Sequence, residues 1–346
     1  MSLRLRWAIV AIVSVLALGA TAVVGVLAWQ QYELRQSQPS AADTVVADAS
    51  DPLVAAGRLV FRNTASGEGY GHVASVALGD PTGPRTLGDV ACDRVDATAS
   101  EFSCLRSERG IVPSYTATLY GADGAADAEW PLAGVPSRTR ISADGALVAS
   151  TSFVTGHSYA TVGFSTSTSI RSAAGADVSG DFESWTLLID GQAIAPVDRN
   201  YWGVTFIDDE TFYATVGLTT SGETYLVRGD LRTRTFTALA QNVECPSLSP
   251  DGTRIAFKRV TSGAGATVHW TPAIYDIASG TVTLLPESRS VDDQIEWLDD
   301  DTILYGMPRN DTPGDSDVWR LDASGSGEPE IYLEHAWSPS VVRGDG

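Results

Sequence analysis

Positive charge is what this chain has least of. Its 346 residues hold 23 basic side chains, of which only Lys258 is a lysine, against 43 acidic ones, a formal net charge of −20. A nucleic-acid partner requires a clustered basic footprint, and its absence excludes that class of function. An acidic surface of this kind provides solubility and self-repulsion, with attraction for basic partners or cations as the functional alternative.

Reactive and ligating side chains are equally sparse. The four histidines, His72, His157, His269 and His335, fall in separate stretches without metal-ligand spacing. They are expected to serve surface or turn hydrogen bonding, and neither a metal nor a cofactor is implied. No Gly-x-Ser-x-Gly elbow exists. Gly156-His157-Ser158-Tyr159-Ala160 comes nearest but carries Ala160 where the sharp turn needs glycine. Ser249-Pro250-Asp251-Gly252 shares the core of the sialidase Asp-box without its spacing to a second glycine and a tryptophan. Catalytic residues are therefore not assigned. Asn310–Asp317 packs oxygens as a calcium loop would, departs from the EF-hand pattern, and reads as a solvated acidic turn. Arg343-Gly344-Asp345 reads as a chance tripeptide.

Helical periodicity is missing beyond the N-terminus. The one long apolar run, Trp7–Trp29, has 23 uncharged residues, about 34 Å as a helix and enough to cross a bilayer. Arg4 and Arg6 precede it and an aromatic closes each end, which places residues 1–6 in the cytoplasm and the rest outside. A cleaved signal would have a shorter core, and the cleavage-like Ala20-Thr21-Ala22 lies inside the run. Residues 7–29 are thus read as a single-pass signal anchor, with cleavage as the alternative, and residues 30–56 as a polar tether.

Three cysteines in an exported chain leave one unpaired. Cys92 and Cys104 straddle a candidate hairpin whose opposed strands would bring them to bonding distance, and a disulfide is expected there. Cys245, at the start of a strand, is expected to be a buried spare thiol.

What the sequence does have is repetition. Ile141-Ser142-Ala143-Asp144-Gly145-Ala146-Leu147-Val148-Ala149 and Leu248-Ser249-Pro250-Asp251-Gly252-Thr253-Arg254-Ile255-Ala256 each read as strand, Asp-Gly turn, strand. Phe206–Phe212 and Trp297–Ile303 match position for position with acidic turns, and Val95–Leu105 repeats the rhythm more loosely. A further strand and turn follow each hairpin, as in Ala273–Leu284, so four strands make one unit. Four-stranded units in a ring are the blades of a propeller. Residues 57–342 accommodate six such units of about 48 residues each. The first unit, from Gly57, lacks a first strand, and Ala336-Trp337-Ser338-Pro339-Ser340 resembles a first strand with nothing after it. The prediction is an all-β, six-bladed β-propeller over 57–346 whose last strand closes blade one, removing exposed sheet edges.

Leu248–Phe257 followed by Ile274–Gly280 resembles the repeat of TolB-type propellers, and the likeness extends over most of the exported region. Ser137–Ser142 through Gly156–Ala160, and Arg289–Gln294, are similar to membrane-anchored TolB-like proteins of Gram-positive actinobacteria. The resemblance implies the propeller and an envelope setting. TolB itself has an additional N-terminal α/β domain and binds a peptidoglycan-associated lipoprotein. Here an anchor and tether stand in place of that domain, so the lipoprotein partner is not implied.

In a propeller, the segments before the first strands open onto one mouth of the central channel. Those segments contain Asp93, Arg94, Arg138, Tyr201, Trp202, Glu244, Asp292 and Asp293, a mixture of charge and aromatic surface suited to a polar ligand or a protein tip. The bland alternative is that they plug or solvate the channel. The functional expectation is a non-enzymatic, monomeric, membrane-anchored propeller that binds an envelope or secreted protein. The other is a protein that binds or processes cell-wall glycan or a small molecule at the channel mouth. A pair of carboxylates about 5–9.5 Å apart in a deep pocket favours the second, and a flat or filled mouth favours the first.

Overall fold

The computed structural model describes residues 3–37, 42–47, 52–110, 112–154 and 165–344. Among them, six sheets stand round a common axis as the blades of a propeller. Blade two (Arg94–Ala97, Glu101–Glu108, Ser114–Gly121, Ala126–Pro131) has the plain four-strand form, as do five (Glu244–Leu248, Arg254–Ser262, His269–Asp276, Val282–Leu284) and six (Glu296–Trp297, Thr302–Pro308, Ser316–Asp322, Glu330–Leu333). Blade three has three described strands, Val135–Ile141, Leu147–Val154 and Ser165–Ser172. Blade four (Arg199–Phe206, Thr211–Leu218, Glu223–Asp230, Thr235–Gln241) is widened by a hairpin, Thr186–Ile194, whose first strand pairs parallel to Thr235–Gln241. The sequence repeat did not foreshadow that addition, because the hairpin has no counterpart in the other units.

Blade one closes the ring. Its inner strand is Ala336–Val342, antiparallel to Arg58–Asn63, followed outward by His72–Ala77 and Arg85–Ala91. The first and last parts of the propeller are thus locked in one sheet, and the inner strands pack in sequence until the last meets the first.

Period-two alternation along each strand supplies apolar side chains to both faces of every blade. Leu59 and Phe61 face Leu304 and Val318 of blade six, whereas Val60, between them, faces Val95 and Phe102 of blade two. Ile255 and Phe257 pack toward Tyr213 and Leu226 of blade four, and the intervening Ala256 toward Trp297 of blade six. Six separate cores result, one between each pair of neighbouring blades. Among the described residues the largest group of contacting rings joins Phe182, Trp185, Tyr201, Phe212 and Phe236 beside blade four, through both stacked and edge-to-face pairs.

The repeated turns have a common chemistry. Ser142 Oγ donates to Asp144 Oδ1 at 2.6 Å and accepts from the Leu147 amide at 2.9 Å. Ser249 does the same with Asp251 at 2.5 Å and the Arg254 amide at 2.9 Å. Gly145 and Gly252 follow with φ of +77° and +70°, a region that favours glycine. In the degenerate copies Asp208 and Asp299 accept amides two residues on, which closes the turn without glycine.

Cys92 and Cys104 form the expected disulfide, with Cα atoms 5.4 Å apart, and Cys245 is a buried free thiol. The N-terminal helix spans Leu3–Ser37, and Arg4–Leu34 within it is long and apolar enough to cross a membrane, with a mean hydropathy of 2.6. It continues past the apolar run, so part of the stretch read as tether is helical. Further along, Thr44–Val46 adds to blade one as a parallel fifth strand, and Leu53 and Val54 are buried between blades one and two.

Candidate functional site

At the end of the ring where the inner strands begin, a cavity of about 680 Å³ opens among blades three, four and five and reaches Asp292 ahead of blade six. Val135, Phe153, Trp202, Leu218 and Trp270 give it apolar and aromatic walls. Arg138, Glu244, Lys258 and Asp292 supply the charge, and Cys245 lies among them.

The eight residues singled out in the sequence fall into four places. Arg138, Trp202, Glu244 and Asp292 line this cavity together. Arg94 and Asp293 form a pair beside it. Arg94 Nη1 lies 2.6 Å from Asp293 Oδ1 and its guanidinium 4.9 Å from the Trp337 ring centre, while Asp293 Oδ2 also accepts the Gly306 amide at 2.9 Å. Asp293 is fully buried, so it braces the ring and does not face the cavity. Asp93 accepts the Ser107 amide at 2.8 Å and is likewise committed to blade two.

Tyr201 corrects the sequence reading. It lies within the inner strand of blade four and is 3% exposed, stacked on Phe236 with ring centres 4.4 Å apart. Adjacent side chains on a strand take opposite faces, so Trp202 meets the cavity and Tyr201 the core. Its hydroxyl has no described hydrogen-bond partner, and burial pushes its pKa up. Arg138 is also inside a strand, not in a preceding loop.

Lys258 and Trp270 were not picked out from the sequence. Lys258 stands opposite Glu244 in the antiparallel register of blade five. Its ammonium lies 2.6 Å from Asp292 Oδ1 and 4.7 Å from the Trp270 ring centre. Trp270 Nε1 donates to Glu244 Oε1 at 3.1 Å. Arg138 Nη2 lies 3.7 Å from the same Asp292 oxygen, Nη1 donates to the Ser137 carbonyl, and Nε has no described acceptor. Burial works against the charge on both cations. The Cys245 sulfur and the nearby carboxylates outweigh it, so both pKa values lie above their usual ranges. Asp292, whose side chain stays largely exposed, responds in the opposite sense: partial loss of water beside the ring would raise its pKa, but Lys258 and Arg138 hold it low.

Deeper on the axis, Arg140 fills the channel. Its Nη1 lies 3.0 Å from Asp96 of blade two and 2.6 Å from Glu296 of blade six. Nη2 donates to Ser247 Oγ of blade five at 3.2 Å and to the Ile295 carbonyl at 2.8 Å. Ser340 Oγ of blade one completes the cluster on Asp96 at 2.9 Å. The two axial carboxylates are therefore joined through one guanidinium. At the mouth, Glu223, Glu244 and Asp292 each accept from a neighbouring donor.

Away from the axis, Asp315 and Asp317 are buried and paired, unlike the solvated turn the sequence suggested. Arg309 holds Asp317 through two nitrogens, and His335 Nδ1 and Thr64 Oγ1 hold Asp315 at 2.7 and 2.8 Å. Among the described residues no three His, Cys, Asp or Glu side chains gather as a metal site. His72 Nδ1 contacts the Gly88 carbonyl at 2.8 Å. Gly156–Ala160, with His157, lies outside the described residues.

No protein-family model matches the chain, and no curated protein sequence does. Among solved structures it is similar to TolB from Acinetobacter baumannii at 15% identity, with a TM-score of 0.52 over 82% of this chain and 66% of that one. A puromycin-hydrolyzing peptidase from Mycobacterium tuberculosis matches at 16% identity and a TM-score of 0.46, over 80% of this chain but 43% of its own. An oligogalacturonate lyase in complex with manganese matches at 12% and 0.46, over 77% of this chain and 74% of that one. At such identities the likeness speaks for architecture alone. The chain is a six-bladed β-propeller of TolB-like fold behind one N-terminal apolar helix.

Proposed function

We propose that this protein is a membrane-anchored binding module of the cell envelope, whose propeller stands outside the membrane and holds a partner protein at the mouth of the ring. The observation that carries the reading is the pairing of an open, indole-lined cavity with an axis filled by Arg140. Trp202 and Trp270 supply the rigid aromatic surface on which protein contacts concentrate. The carboxylates of mouth and axis are bound to arginine, lysine, tryptophan or glutamine donors, an arrangement suited to holding a shape and not to moving protons. The disulfide fits an oxidising compartment, and the apolar helix supplies the anchor.

The test is in-cell crosslinking of the full-length protein followed by pull-down and mass spectrometry, beside a Trp202→Ala/Trp270→Ala variant. The proposal expects one envelope or secreted protein enriched with the wild type and lost with the variant. Equal recovery from an unrelated anchored protein would overturn it and bring forward glycan or small-molecule binding at the same mouth.

A further inference from the structure

Two buried cations at the cavity share one exposed carboxylate as their direct ion-pair partner, with the Cys245 sulfur beside them. The side chains of Arg138 and Lys258 are 7% and 4% exposed, whereas Asp292, which both contact, is 63% exposed. The other anions nearby are already engaged, Glu244 by the Trp270 indole and Asp293 by Arg94 and the Gly306 amide. Arg138 Nε, buried at the same place, has no described acceptor. Buried donors of this kind call for an acceptor, and a carboxylate is the one that matches a guanidinium beside an ammonium.

The walls specify what is attached to that carboxylate. Trp202 and Trp270 offer flat apolar faces, and Val135, Phe153 and Leu218 complete an apolar rim. The volume, about 680 Å³, is that of a site for a few residues or a small ligand. Arg140 blocks the axis beneath, so a chain can enter the mouth but cannot thread through it. A blind apolar cavity with buried cations suits the end of a polypeptide better than a loop.

We infer that the cavity captures the C-terminus of the partner protein, with its free carboxylate between Arg138 and Lys258 and its last apolar or aromatic side chain against Trp202 and Trp270. Asp292 yields its place to the incoming carboxylate and swings toward solvent. The inference rests on the protein-binding reading and narrows it to a chain end.

The experiment is calorimetric titration of the full-length protein in detergent micelles with three probes. They are the acetylated tetrapeptide Ala-Ala-Leu-Phe as the free acid, the same peptide as the carboxamide, and 3-phenylpropanoate. The acid should bind at least ten-fold more tightly than the carboxamide and than 3-phenylpropanoate, and Lys258→Met should remove most of that preference. Because a buried lysine affects folding, a second measurement uses the wild type alone. Trp202 and Trp270 line the cavity, so the acid peptide should shield indole fluorescence from acrylamide quenching, and the carboxamide at the same concentration should not. Equal binding of acid and carboxamide, or equal indole quenching with either peptide, would overturn the inference. A match by 3-phenylpropanoate would overturn it too, assigning the cavity to free carboxylates. A partner captured by crosslinking without any acid preference would remove this inference and leave the binding module standing.

Discussion

The Arg140 guanidinium of blade three lies 2.6 Å from the Glu296 carboxylate of blade six, and 3.0 Å from Asp96 of blade two, on the axis of the ring. Both carboxylates are buried and the guanidinium nearly so, and Ser247 and Ser340 extend the cluster to blades five and one. One arginine thus ties together five of the six inner strands.

Breaking that cluster from one side strands two buried carboxylates. Arg140→Met is predicted to lower stability by about 3–5 kcal/mol in chemical denaturation, the cost of an uncompensated buried charge. Adding Asp96→Asn and Glu296→Gln removes the stranded charge, so the triple variant should recover part of the loss.

The Cys92–Cys104 bond closes a short loop, with a sequence separation of 12. Cys92→Ser/Cys104→Ser should cost up to ~3 kcal/mol by constraining the unfolded chain less. A thermal melt checks this: reductant should lower the midpoint of the wild type toward that of the variant and leave the variant unchanged.

Glu287 predicts the acid limb. Burial would raise its pKa, but hydrogen bonds from Arg289 and Tyr305 outweigh that and hold it below its ordinary 4.5. A depressed folded-state pKa contributes stability that is present above the ordinary value and lost as pH falls through the folded one. Glu287→Gln should therefore cost about 1–3 kcal/mol at neutral pH. It should also flatten the fall of the melting temperature below pH 4.5 relative to wild type.

The ring was legible because its signals are local. A serine hydroxyl at two Asp-Gly turns, or an aspartate in the degenerate copies, fixes each hairpin within ten residues, and a missing first strand at Gly57 matched a surplus one at Ala336. The cavity was only half legible because it depends on register between strands. Glu244 could be placed at the mouth from its position before the repeat, whereas Lys258 reaches it only through pairing opposite Glu244. Trp270 arrives from the third strand of the blade, and Arg140 reaches the axis two residues beyond Arg138 on the same strand. Tyr201 was misplaced for a related reason: composition marks an aromatic at the mouth without saying which neighbour turns inward.

That distinction is itself testable. Tyr201→Phe removes a buried hydroxyl that lacks a described partner, so stability should hold or rise by about 1 kcal/mol and partner binding should not change. Trp202→Ala, one residue on, should weaken binding while leaving the neighbouring aromatic core assembled. Comparing melts and pull-downs of the two variants separates core from site.

The central claim, that the ring mouth is where a partner sits, is met most directly by site-specific photocrosslinking in cells. A photoreactive phenylalanine analogue replaces Val135, 48% exposed at the cavity rim, or Leu239, 43% exposed on the fourth strand of blade four. The account predicts a discrete crosslinked protein from position 135 and none from position 239. The same product from both positions, or from position 239 alone, would contradict it.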